Sequence, residues 1–128
     1  HTILLSDPAT RPASGEAFDR GVNLALDHCA AGLASLLFTT RALQVRGLMA
    51  PAEAASYLSG VMIGSDVASG IALCRASLGN SPVTVVGGEL LAAGYARALE
   101  LAGVESTNVS GDEAVRQGLH LAWQRLFG

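Results

Sequence analysis

Only two short stretches of this chain carry a β-strand pattern, and both lie in its last third. Val83-Thr84-Val85-Val86 is β-branched throughout, which suits a strand buried on both faces of a parallel sheet. Val104 to Val109 is the second, with Ser106 and Asn108 polar. Between them Leu90, Leu91, Tyr95, Ala98 and Leu99 recur at helical spacing, and Gly103 is placed to end that helix. Ser110 and Glu113 have the spacing of a capping box. Val115, Leu119, Ala122, Trp123 and Leu126 then line one face of a last helix, and Trp123 and Tyr95 read as core residues. Strand–helix–strand–helix is one parallel crossover unit. Two strands make a poor free-standing sheet, so further strands are expected from sequence upstream of residue 1.

The first two-thirds reads as helical. Thr2 to Leu5 is apolar, and Asp7 to Pro12 is loop chemistry with two prolines fixing φ. Ser14 is placed as an N-cap. Phe18, Val22, Ala25, Leu26, Cys29, Leu33, Leu36 and Leu37 predict one helix over 16–40, with Gly32 inside it at ~1 kcal/mol against Ala. Residues 41–50 form a connection holding Arg41, Arg46 and Gly47. Pro51 suits a first helical position and Glu53 the first turn, and the helix they open runs to about Leu78. Gly60, Gly64 and Gly70 lie within it. Glycines four apart favour tight packing, or the close approach of a ligand. Gly79-Asn80-Ser81-Pro82 is a turn. The expected fold is a helix-rich α/β single domain over 1–128, with about two parallel strands and four helices.

Half of the 128 residues are apolar and the mean hydropathy is +0.39. That surplus suggests a face meant to be covered by another structure. Ala and Gly interrupt the apolar runs, and none approaches the ~18 residues of a bilayer span, so no membrane is expected. The net charge is −3, and all eight basic residues are scattered Arg with no Lys, which is not the basic stripe of a nucleic-acid binder. Cys29 and Cys74 each fall in a helical pattern and read as buried free thiols. His1, His28 and His120 lack ligand spacing and no C-x-x-C occurs, so no metal site is expected from this chain. A chain without Lys holds no P-loop, and no G-x-S-x-G elbow is present. No signal-peptide pattern opens the chain, and the cytoplasm is the expected compartment.

Chemistry concentrates at Val86-Gly87-Gly88-Glu89, where a strand runs through two glycines into a helix. Glycines let a ligand approach the backbone, a helix N-terminus offers free N–H groups, and ligands of open α/β sheets lie beyond the carboxyl ends of strands. The same residues also suit an ordinary strand-to-helix turn. Glu89 is awkward beside phosphate and fits ribose hydroxyls or solvent better. Asp66 lies in an apolar helical segment. It is open to three roles, toward a ribose, a metal-bound water or an Arg, or it simply faces solvent. Arg41 reads as an anchor for a helix C-terminus or an acid, with phosphate contact the alternative.

Several segments, in order, resemble the 2-dehydro-3-deoxygalactonokinase family. They are Phe18-Asp19-Arg20-Gly21-Val22, Leu37-Phe38-Thr39-Thr40-Arg41, the more specific Tyr57-Leu58-Ser59-Gly60-Val61-Met62-Ile63-Gly64-Ser65-Asp66, Val83 to Gly88, Tyr95 to Leu99, Gly111 to Ala114, and Gly118-Leu119. The resemblance spans residues 16–126. It implies a fold similar to the actin-like sugar kinases, with two ribonuclease-H-like lobes and ATP in the cleft between them. It makes Gly87 and Gly88 nucleotide-contact candidates, with Glu89 and Asp66 beside them, and likens the Gly118 helix to an inter-lobe connection. Asp66 stands where the family usually has Glu, and Glu89 and Leu90 where it often has small or polar residues. ATP and Mg²⁺ are the implied cofactors and a keto-deoxy sugar acid the implied substrate, phosphorylated at O6 during galactonate breakdown. The N-terminal lobe, the phosphate loops, the catalytic base and the metal ligands are implied to lie outside this chain. The whole is then a C-terminal lobe fragment, inactive alone. A helical dimerisation module or a nucleotide sensor without catalysis are the competing readings.

Overall fold

The computed structural model describes residues 15–128. Five α-helices and two strands follow in the order α1 Glu16–Asp27, α2 Leu33–Val45, α3 Pro51–Leu78, β1 Val83–Gly87, α4 Glu89–Leu101, β2 Ser106–Ser110 and α5 Gly111–Phe127. The apolar segment around Thr2, the proline loop and Ser14 lie outside the described residues, and the position before α1 is Gly15.

The seam between α1 and α3 organises the helical part. A Cβ on Gly21 would collide with the Tyr57 carbonyl oxygen, and one on Gly60 with the Phe18 carbonyl oxygen. A Cβ on Gly64 would stand 2.9 Å from the Val22 Cα. The two backbones therefore touch directly, the packing role expected of Gly60 and Gly64. Phe18, Val22 and Val61 are fully buried along this seam. Leu36 of α2 and Met49 close one end of it, while Ala98 and Leu99 of α4 close the other. A bidentate ion pair adds to the second contact: Arg97 Nε and Nη2 donate to the two carboxylate oxygens of Asp19 at 3.0 and 2.7 Å.

The strands pair in parallel, Val83 with Ser106 through Gly87 with Ser110, and α4 is the crossover. Gly103 has φ +77. It lets the Val104 and Gly103 N–H groups donate to the Leu99 and Glu100 carbonyls at 2.9 and 3.0 Å, a glycine-terminated helix end that turns the chain into β2.

Several expectations are corrected. The helix predicted over 16–40 is two, divided by a 3₁₀ turn at Cys29–Ala31 and by Gly32, whose φ of +85 is not helical; this makes five helices rather than four. Arg41 lies on α2 rather than in a connection, exposed and without an ion pair among the described residues. Cys29 and Cys74 are exposed, not buried. The second strand starts and ends later than expected. β1 is half-buried on one face only, because no described element covers the face of Thr84 and Val86. The apolar face of α5 is not core: Trp123, on the ring of Phe127 with centroids 4.5 Å apart, is 61% exposed. Tyr95 is half-buried. Finally, Pro51–Ser77 is one helix long and apolar enough to cross a membrane, with mean hydropathy 1.4 over its best window. The expectation of no such stretch therefore fails on length and composition. In this fold its small residues serve the seam with α1.

Candidate functional site

Both parallel strands end on the same side of the molecule, and each runs straight into a helix. Gly88 is the N-cap of α4 and Ser110 the N-cap of α5. The two helix starts sit side by side because the register puts Gly87 opposite Ser110. Between them lies a concavity of about 450 Å³, lined by Gly87, Gly88, Glu89, Ala92, Asn108, Val109, Ser110, Gly111 and Asp112. Among the described residues no Arg or His lines it.

Neither glycine of the turn is needed by the chain's own geometry. Gly88 has φ −66 and ψ 151, an extended conformation open to any residue, and Gly87 has no positive φ. A Cβ at either position would meet nothing within 4 Å. The missing side chains leave backbone accessible at the strand end and helix start. Electrostatically the site is mixed. Two helix N-termini bring free N–H groups and partial positive charge, while Glu89 and Asp112 set a carboxylate in the first turn of each helix. Ser110 Oγ accepts from the Glu113 N–H at 3.5 Å. The reciprocal half of the expected capping box is replaced, because the Glu113 carboxylate pairs with Arg116 at 3.0 Å and accepts from Gln117 at 3.1 Å.

Gly87, Gly88 and Glu89 thus meet around one concavity, whereas Asp66 is not on it. Asp66 projects from α3 toward α4, and its Oδ2 accepts a hydrogen bond from the Tyr95 hydroxyl at 2.6 Å. That bond, with burial and the carboxylate charge, pushes the Tyr95 pKa up to about 12. Asp66 ties α3 to the helix that begins at the glycine turn. Among the described residues no cluster of three or more His, Cys, Asp or Glu could hold a metal.

Comparison with known proteins places the chain. The sequence model of the 2-keto-3-deoxy-galactonokinase family matches residues 1–122. The chain belongs to this family. It is 36% identical over 130 aligned positions to a Rhizobium meliloti protein named as a 2-dehydro-3-deoxygalactonokinase, covering 99% of this chain and 41% of that one. It is 30% identical to the Escherichia coli 2-dehydro-3-deoxygalactonokinase, covering 93% of this chain and 39% of the relative. A crystal structure of a Sinorhizobium meliloti protein described by the same activity superposes with a TM-score of 0.78 at 35% identity, over 90% of this chain and 37% of that one. The chain therefore spans about two-fifths of the length of the kinases it matches.

Within this chain the motifs that most resemble the family turn out to pack. Phe18 to Val22 and Tyr57 to Gly64 face each other across the α1/α3 seam. Asn108, Ser110, Gly111 and Asp112 were not singled out as site residues from sequence. The signal for them is nonetheless present: Val109-Ser110-Gly111-Asp112 repeats the Val86-Gly87-Gly88-Glu89 pattern of hydrophobe, small residue, glycine and acid. In a parallel pair such repeats come to lie side by side.

Proposed function

We propose that the chain is the nucleotide-side part of a 2-dehydro-3-deoxygalactonokinase, one lobe fragment of an actin-like sugar kinase. In this reading the whole enzyme moves the γ-phosphoryl of ATP to the 6-hydroxyl of 2-dehydro-3-deoxygalactonate, and this chain contributes one wall of the cleft. The observation that carries it is the glycine pair, which has ordinary dihedrals and, among the described residues, nothing within 4 Å of where its side chains would stand, yet rims a concavity at the strand ends. A ligand that needs bare backbone accounts for both glycines.

The charges select which end of the nucleotide lies here. Glu89 and Asp112 disfavour a triphosphate and accept hydrogen bonds from hydroxyl or amino groups. The Gly87 and Gly88 backbone and these two carboxylates then hold the nucleoside, and Asp66 acts only through Tyr95. Phosphoryl transfer depends on positioning and charge stabilisation. The groups for that, with the ligands of Mg²⁺, belong to the part of the kinase this chain does not span. The exposed thiols of Cys29 and Cys74 suit a reducing compartment such as the cytoplasm.

The test is a titration of the isolated chain with ATP·Mg²⁺ followed by amide NMR. Millimolar binding with shifts confined to Gly87–Glu89 and Asn108–Asp112, and no phosphoryl transfer to the sugar acid, is the expected result. Absence of shifts at those amides overturns the nucleotide assignment. Micromolar binding without turnover favours a nucleotide sensor instead. The exposed apolar face of α5 favours a second reading, a dimerisation module. Concentration-dependent sedimentation unaffected by ATP would support it.

A further inference from the structure

Tyr95 to Leu99, on α4, is a stretch that resembles the family yet lines no part of the concavity between the helix starts. Its polar residues reach two other helices instead. Tyr95 and Arg97 stand two residues apart, about 200° round the helix axis, so they leave α4 on opposite flanks. On one flank the Tyr95 hydroxyl donates to Asp66 Oδ2 of α3 at 2.6 Å. On the other the Arg97 guanidinium donates to both carboxylate oxygens of Asp19 of α1. The remaining guanidinium nitrogen, Nη1, pairs with Glu100 of its own helix at 3.1 Å, which braces the fork.

The apolar packing of α4 specifies its seat only weakly. Its buried residues are Ala92, Gly94, Ala98 and Leu99, of which only Leu99 carries a side chain longer than a methyl. Helices fix their crossing angle by interlocking ridges of side chains, and small residues make shallow ridges. Leu90 and Leu91, at the start of the helix, are 63% and 59% exposed, so neither anchors the end that rims the concavity. Directional bonds on two flanks supply what that contact lacks. Tyr95 and Arg97 lie about 9 and 12 Å along the axis from Glu89. A tilt of about 5° at Arg97 therefore moves the helix start by about 1 Å. A displacement of that size is enough to cost a reaction about a hundredfold.

We propose that Tyr95 and Arg97 are positioning residues: together they clamp α4 between α3 and α1, and so set where its Gly88 end presents backbone to the nucleotide. The role in the reaction rests on the nucleotide reading of the concavity; the clamp itself rests on the geometry of α4. Both ties are partly exposed and add little to the stability of the fold. Their effect is on orientation, because an apparent affinity falls with the fraction of molecules whose site is correctly arranged. The fork of Arg97 matters as much as its charge. A Lys keeps the charge and loses the second bond that fixes the angle.

The test takes Tyr95→Phe, Arg97→Lys and the double variant of this chain through two measurements. Residual dipolar couplings of the free chain report the tilt of α4 against α3. Titration with ATP·Mg²⁺, followed at the amides of Gly87 to Glu89, reports affinity. Each single variant is expected to keep its circular dichroism, to change the α4 couplings and to weaken ATP about threefold or more; the double variant weakens it about tenfold or more. Asp66→Ala should act like Tyr95→Phe, and Asp66→Glu should restore most of the wild-type affinity. Unchanged α4 couplings in the double variant overturn the clamp. A tilted α4 with wild-type ATP affinity overturns its positioning role, as does loss of helical circular dichroism in the single variants, which would make the ties structural supports. If ATP shifts no amide of the wild-type chain, the nucleotide reading fails and the role in the reaction falls with it, while the couplings still decide the clamp.

Discussion

The α1/α3 seam and the turn between β1 and α4 use the same residue in opposite ways. At the seam, Gly21, Gly60 and Gly64 are required by what touches them: neighbouring backbone occupies the space of a side chain. At the turn, Gly87 and Gly88 have no neighbour there and no unusual dihedrals. A glycine explained by its own chain is architecture. One unexplained by its own chain points outward, to a ligand or a missing partner.

The seam is most vulnerable at Gly60. Gly60→Ala drives a methyl into the Phe18 carbonyl, and separating two helices in close contact is expected to destabilise by about 3 kcal/mol. Chemical denaturation measures it, and a loss under about 1 kcal/mol would show the seam to be looser than described. At the turn the order of effects reverses. Gly88→Ala is expected to leave stability unchanged or raise it by about 0.5 kcal/mol, while the ATP-induced shifts weaken about tenfold or more. Destabilisation without loss of those shifts would move Gly88 into the first group.

Two side-chain ties connect the helical part to the helix that starts at the turn. The hydrogen bonds from Arg97, helped by its charge, hold the Asp19 pKa below its ordinary 3.8 against the opposing effect of burial. The folded state therefore binds that proton more weakly than the unfolded chain. The stability this adds is complete above the ordinary carboxylate value and disappears as pH falls through the lower folded one. Asp19→Asn should flatten the stability profile in that acidic window, with a smaller effect than Gly60→Ala at neutral pH. The smallest change is expected from Tyr95→Phe, about 1 kcal/mol or less for a partly exposed hydrogen bond. With the Tyr95 pKa at about 12, its contribution persists through pH 10 and is lost as pH rises through that value. Ultraviolet titration of the folded chain should lose its latest-ionising tyrosine in this variant.

Much of this was legible in the sequence. Pro51 marked the start of α3, Gly103 ended α4, and the β-branched run at Val83 announced the strand, since each depends on local backbone chemistry. The spacing of Gly60 and Gly64 announced a backbone contact, though not that Gly21 was its counterpart. What failed was tertiary. Gly32 looked tolerable within a helix because the apolar period continues across it. Trp123, Cys29 and Cys74 looked buried because periodicity shows which face is apolar and not whether anything covers it. The candidate site was half legible for the same reason: β1 carried its own signal, and the matching residues of β2 gained meaning only through the parallel register.

Helix α5 meets the sheet at its first turn, and from Val115 onward every residue is exposed. It is a rod about 25 Å long clamped at one end. The clamp, Ser110 to Asp112, is also part of the lining of the concavity between the strand ends. Leverage follows from that geometry alone: a tilt of about 10° at Ser110 carries Phe127 through about 4 Å. The Phe127 end of α5 would therefore magnify displacements at the rim of this concavity that would be too small to notice there.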